Sequence, residues 1–163
     1  LPDTIKKVGV FVDEKIEFIC GQMEKHQLDV IQLHGHESPK MCRLLKSTKA
    51  EVIKVFSIKN EFDFSILTPY EEVCDYFLFD TKGKLPGGNG YTFDWNVLKD
   101  YPSTKPFFLS GGIGLDQIQN IKDFQKSPAS KYCYAIDVNS KFEIEPGLKN
   151  INELEKFKHD LQH

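Results

Sequence analysis

The residues best suited to chemistry lie in Phe107-Phe-Leu-Ser-Gly-Gly-Ile113 and in Tyr134-Ala-Ile-Asp-Val-Asn-Ser140. Each stretch reads as a short apolar strand that stops in small, polar residues. Two such ends in succession can aim several backbone N–H groups at one anion. The loops after the last two strands of a β/α barrel commonly hold a phosphate in this way. Gly111 and Gly112 are the anion-binding candidates: glycine lets a backbone approach a phosphate, and a following helix can point its N-terminus there. The partner expected from this pair is a phosphorylated small molecule.

Other strand ends carry polar groups too. Gln32 and His34 sit in Val30-Ile-Gln-Leu-His-Gly35, and Asp80 and Thr81 end Tyr76-Phe-Leu-Phe-Asp-Thr81. In parallel α/β folds the carboxyl ends of strands form the active face. Asp80 is the foremost single candidate. A carboxyl at the mouth of an apolar strand is partly desolvated, which disfavours its charged form and suits a general acid. The structural alternative is a loop aspartate bonded to nearby backbone. His34 either polarises a substrate or packs the loop before Glu37. Asp137 either binds substrate hydroxyls or forms an ion pair with a neighbouring strand residue such as Lys54. Gly87-Gly-Asn-Gly90 is either a phosphate cradle or a lid over Asp80, and a lone glycine run is weak support for either. The sequence contains no P-loop and no HExxH.

Six apolar runs must position these residues: Val8–Val12, Val30–Leu33, Val52–Phe56, Tyr76–Phe79, Phe107–Leu109 and Tyr134–Val138. Continuous apolar runs suit strands buried on both faces. Helical patterns alternate with them. Ile16, Ile19, Cys20 and Met23 form one stripe. Met41, Leu44 and Leu45 follow Ser38-Pro39, a cap and first-turn pair. Trp95 and Leu98 follow Asp94, and Ile118 and Ile121 follow Asp116. Ile151, Leu154, Phe157 and Leu161 form the last stripe. This βαβ order predicts an α/β fold with a parallel sheet and one domain over residues 1–163. Periodicity leaves two architectures open, a doubly wound sheet and a (β/α)8 TIM barrel.

Composition excludes several classes. With 163 residues, 40% hydrophobic and net charge -3, the chain is long enough for a sizeable core and has no basic stripe for nucleic acid. No apolar stretch reaches the roughly 18–20 residues that span a bilayer. Cys20, Cys42, Cys74 and Cys133 form no Cys-x-x-Cys pair, so four reduced thiols in a cytoplasmic protein are expected.

Seven stretches together resemble the phosphoribosylanthranilate isomerase family of tryptophan biosynthesis. They are Lys7-Val-Gly-Val-Phe-Val12, Asp29-Val-Ile-Gln-Leu-His-Gly35 with Glu37, Leu78-Phe-Asp-Thr81, Gly87-Gly-Asn-Gly-Tyr-Thr-Phe-Asp-Trp95, Leu109-Ser-Gly-Gly-Ile113, Ala135-Ile-Asp-Val-Asn-Ser140 and Glu145-Pro-Gly-Leu-Lys149. They lie in the family's order and span nearly the whole chain. The resemblance implies the TIM barrel, with this chain covering about six β/α units, strands 3–8. It implies an Amadori rearrangement of N-(5-phosphoribosyl)anthranilate with no metal or organic cofactor. Asp80 is then the general acid, and Gly111, Gly112, Asn139 and Ser140 hold the phosphate. Asp137 meets substrate hydroxyls, while Gln32 and His34 line the pocket. The alternatives are a non-catalytic phosphate-binding fragment and a related phosphosugar isomerase.

The resemblance also implies a departure. The family's general base is a cysteine in a Lys-x-Cys-Gly motif on its first strand, and an arginine there meets the anthranilate carboxylate. Cys20 precedes Gly21 but falls within a helical stripe behind Phe18-Ile19, with no matching lysine. The chain begins with Leu1, and the expectation is that its parent carries two further β/α units and that these 163 residues alone are inactive.

Overall fold

The computed structural model describes Pro2 and residues 4–81 and 92–163. Six strands form one sheet: β1 (Val8–Phe11), β2 (Val30–Leu33), β3 (Glu51–Ile58), β4 (Tyr76–Thr81), β5 (Phe107–Leu109) and β6 (Cys133–Ile136). Their spatial order is β1-β2-β3-β4-β5-β6, the order of the sequence. A doubly wound sheet reverses its order at a switch point. A monotonic order is that of a β/α barrel, so the sheet selects the second of the two architectures. The six predicted runs are the six strands, with ends shifted by up to two residues.

The chain packs as two compact units. The first comprises residues up to Phe56 together with Asp63–Leu78. In it β1 pairs with β2 in parallel, Val8 opposite Val30, and β2 with β3, Val30 opposite Glu51. Helix α1 (Ile16–His26) ends where Gln27 turns left-handed, at φ 50°, and its N–H returns to the last turn. Helix α2 (Pro39–Lys46) starts as predicted: Ser38 accepts from the Met41 N–H, and Pro39 occupies the first turn, where no N–H is needed. Ile19, Ile31, Leu33, Leu45, Val52, Leu67 and Phe77 form the buried interior of this unit. A 3-10 helix at Phe64–Tyr70, capped by Asp63, has no counterpart among the predicted elements because its apolar residues repeat with no α-helical stripe.

The second unit comprises Ser57–Phe62 and the residues from Phe79 onward. Strands β5 and β6 run parallel, with a register shift between Phe107 and Phe108. The stripe after Asp94 forms a 3-10 helix, Trp95–Asp100, instead of an α-helix; Asp94 accepts from the Asn96 N–H and Tyr101-Pro102 ends it. Helix α3 (Ile118–Gln125) buries Ile121 and Phe124. A two-stranded hairpin follows, β7 (Glu143–Glu145) with β8 (Leu148–Lys149), turning at Gly147 with φ 84°. Helix α4 (Ile151–Gln162), capped by Asn150, lays Phe157 on Phe142 with ring centroids 5.0 Å apart. Phe79 and Phe107 meet in this unit's interior with ring centroids 5.2 Å apart and planes tilted by 59°.

Candidate active site at the strand ends

Strand β4 delivers the acid. Asp80 is 6% exposed, as a carboxyl at the mouth of an apolar strand must be, and its Oδ1 accepts the Thr81 N–H at 2.9 Å. This backbone contact is the structural alternative raised from the sequence, and it coexists with placement at a strand mouth. Thr81, also buried, accepts the Phe93 N–H at 3.1 Å and donates to the Gly111 carbonyl at 3.4 Å through Oγ1.

The glycine turn comes against this acid. The Ser110 N–H donates to the Phe79 carbonyl at 2.9 Å, extending β5 by one residue. Gly111 and Gly112 then adopt φ of 94° and 69°, a region L-residues rarely enter. A Cβ on Gly111 would lie 2.3 Å from Thr81 Oγ1 and 2.7 Å from Asp80 Oδ1. Glycine is required there twice, by conformation and by space.

Strand β6 delivers the third group. The Asp137 N–H donates to the Leu109 carbonyl at 2.8 Å, and Ser110 Oγ donates to Asp137 Oδ2 at 2.8 Å. Of the two alternatives for Asp137, the ion pair with Lys54 is not the one Lys54 makes: its Nζ pairs with Glu37 at 3.0 Å. Beyond Asp137, Asn139 and Ser140 open the 3-10 turn Ser140–Phe142. A Cβ on Gly114 would lie 3.3 Å from Lys141 Cβ, so the loop after Gly112 abuts this turn. Lys149 Nζ donates to Asn139 Oδ1 and to Glu143 at 2.6 Å, which holds the Glu143 carboxyl below its ordinary range. Asp80, Gly111, Gly112, Asp137, Asn139 and Ser140 thus gather within one unit.

Gln32 and His34 belong to the other unit. Gln32 lies on β2 opposite Val10 and Ile53, and the half-buried His34 donates its N–H to the Phe11 carbonyl at 2.8 Å. The loop that carries His34 is held by a buried ion pair whose role was not read from the sequence. Glu37 and Lys54 side chains are 1% and 3% exposed. Glu37 accepts the N–H groups of Asp13 at 2.9 Å and Gly35 at 3.0 Å, and Lys54 donates to the Gly35 carbonyl at 2.7 Å. The signal was available: Lys54 is the one charged residue in the apolar run Val52-Ile-Lys-Val-Phe56, and a buried lysine needs an acid. Asp13, with φ 54°, accepts from the backbone and ring of the exposed His36, which lowers its pKa.

The four cysteines are free. Cys20 sits inside α1, as its stripe predicted. Cys42 and Cys74 hydrogen-bond to one another in the first unit's interior, which pulls the Cys42 thiol down, and burial pushes the Cys133 thiol up to about 11. A cavity of about 540 Å³ lies in the second unit, lined by Trp95, Asn96, Gln117, Asn120 and Phe124 among others, and none of the candidate residues faces it. The Gly87–Gly90 lid candidate lies outside the described residues. Among the described residues no group of three or more His, Cys, Asp or Glu could hold a metal ion, and no helix is long and apolar enough to cross a membrane.

A parallel sheet in monotonic strand order, with an acid, a glycine turn and polar residues at its carboxyl ends, defines an enzyme scaffold of the β/α-barrel class. The family described as "N-(5'phosphoribosyl)anthranilate (PRA) isomerase" matches residues 2–160. The N-(5'-phosphoribosyl)anthranilate isomerase of Parabacteroides distasonis is 43% identical over 158 residues, covering 97% of this chain and 70% of the relative. That of Phocaeicola vulgatus is 42% identical over 162 residues, covering 99% and 77%. Among solved structures, the phosphoribosyl anthranilate isomerase of Thermotoga maritima superposes with TM-score 0.79 at 32% identity over 99% of this chain and 75% of the other. The Thermus thermophilus enzyme reaches 0.83 at 26%, covering 99% and 74%. The chain belongs to the N-(5'-phosphoribosyl)anthranilate isomerase family.

Proposed function

We propose that this protein is the isomerase that converts N-(5'-phosphoribosyl)anthranilate, an aminoaldose, into the 1-deoxyribulose phosphate aminoketose of tryptophan biosynthesis. The observation that carries the residue assignment is the buried Asp80 carboxyl packed against the left-handed Gly111 turn. In this reading Asp80 protonates the furanose ring oxygen. The C–O bond breaks, the nitrogen lone pair forms the Schiff base, and the ring opens. A base then removes the proton from the neighbouring carbon, giving an enol that tautomerises to the ketose. The electrons stay within the substrate throughout.

The backbone N–H groups around Gly111 and Gly112, with Asn139 and Ser140, hold the phosphate in place during ring opening. Asp137, held by Ser110 Oγ, accepts from a sugar hydroxyl. In the first unit, Gln32 and His34 are the residues assigned to substrate binding. Support for a phosphorylated ligand comes from a solved relative, TM-score 0.78, in complex with reduced 1-(o-carboxyphenylamino)-1-deoxyribulose 5-phosphate.

No residue of this chain is assigned to the base. The expectation that the 163 residues alone are inactive finds no support in the comparisons, since the chain aligns with 70% and 77% of two relatives. Turnover of N-(5'-phosphoribosyl)anthranilate by the purified chain measures this directly; tight binding of a product analogue with no turnover would favour a phosphate-binding role instead. Asp80→Asn lowers kcat by about 10²–10⁴-fold with KM within a few-fold, the range for a general acid. An Asp80→Asn protein with wild-type turnover would remove Asp80 from the mechanism.

A further inference from the structure

Thr81 is the last residue of β4, 4% exposed, and its hydroxyl both donates and accepts a hydrogen bond. A threonine hydroxyl has one proton and two lone pairs. Here the proton goes to the Gly111 carbonyl at 3.4 Å and a lone pair takes the Phe93 N–H at 3.1 Å. The residue's own N–H donates to Asp80 Oδ1 at 2.9 Å. One buried residue thereby touches the acid, the glycine turn and the chain that returns at Phe93. The would-be Cβ of Gly111 lies 2.3 Å from the hydroxyl oxygen and 2.4 Å from the Thr81 nitrogen, so the turn rests on Thr81 with no slack.

We propose that Thr81 is a positioning residue, whose hydroxyl fixes the distance between the Asp80 carboxyl and the Gly111–Gly112 turn. The proposal rests on the reading of Asp80 as the acid. Its physical content is geometric. If the turn holds one end of the substrate and Asp80 protonates the other, their separation must match the substrate. Displacement of a reacting group by about 1 Å can cost about 10²-fold in rate. Valine has the shape of threonine but no acceptor. In a Thr81→Val protein the buried Phe93 N–H loses its partner and the Gly111 carbonyl loses its donor. Both segments then move to find others, and the acid no longer meets the held substrate.

The test is a double-mutant cycle with steady-state kinetics on the full chain. Thr81→Val lowers kcat by about 10–100-fold and leaves KM within about fivefold. Thr81→Ser, which keeps the hydroxyl, stays within about threefold of wild type. In the Asp80→Asn background, adding Thr81→Val changes kcat by less than about threefold, because the position of an absent acid is immaterial. A residue that merely stabilises the fold would instead lower both backgrounds by the same factor. The proposal is overturned if Thr81→Val turns over within threefold of wild type, if Thr81→Ser is as slow as Thr81→Val, or if the loss repeats in full without Asp80. Where Thr81→Val does not fold, Thr81→Ala against Thr81→Ser reads the same contrast. A fully active Asp80→Asn protein removes the acid reading and this proposal together; an inactive one with additive Thr81→Val removes this proposal alone.

Discussion

Gly111 shows how much one residue's missing side chain can decide. Its φ of 94° already disfavours an L-residue, and the space that a methyl group would fill is taken by Thr81 and Asp80. The two penalties fall on the same substitution. Gly111→Ala therefore lowers stability by about 1–3 kcal/mol for the backbone strain alone, and further if the Thr81 contacts yield. Because the displaced atoms include the acid's oxygen, the variant also raises KM and lowers kcat together. Thermal unfolding and steady-state kinetics on the same preparation check both effects. A Gly111→Ala protein with wild-type melting and turnover would mean that the turn is free to move.

At the scale of elements, the loops after β1 and β2 and strand β3 in the first unit are tied by a single buried ion pair. Glu37 takes N–H groups from the ends of two loops, Asp13 and Gly35, and Lys54 on β3 closes the network through the Gly35 carbonyl. The Tyr70 hydroxyl donates to the Glu37 carbonyl at 3.0 Å, adding the 3-10 helix to the same knot. The pair's own net contribution is small, because desolvation offsets attraction. Its removal is another matter. Lys54→Met leaves the Glu37 carboxylate buried without its cation, and destabilisation of about 3–5 kcal/mol follows. Urea unfolding measures it; a loss below about 1 kcal/mol would show that the carboxylate finds another partner. The loop that carries His34 depends on this knot, so the same variant also raises KM if His34 lines the substrate pocket.

Over the whole molecule, the two ends of the strand order carry exposed apolar side chains. Val8, Val10 and Val12 on β1 and its exit are 46%, 56% and 50% exposed, and Tyr134 on β6 is also exposed. Among the described residues β1 stands first in the strand order and pairs with β2. A flat, apolar edge is a template for pairing with another chain. Val10→Lys places a charge on that edge. It reduces concentration-dependent light scattering on warming while stability stays within about 0.5 kcal/mol, the usual range for a surface change. Equal scattering by the variant and the wild type would locate the association elsewhere.

Much of this architecture was legible in the chain itself. Six apolar runs became six strands, Ser38 and Asp94 capped the elements they preceded, and Asp80 and Gly111–Gly112 stood at strand ends as expected. These features depend on neighbours within a few positions, where side-chain alternation, capping geometry and glycine's freedom act directly. The partners of the buried polar groups were not legible. Lys54 met Glu37, 17 residues away, and Thr81 met a carbonyl 30 residues away. Such choices turn on which loops the packed strands bring within 3 Å. Local patterns determined the elements and the residues at their ends; the tertiary structure decided which of those residues touch, because a buried charge or hydroxyl must satisfy itself from whatever the fold sets beside it.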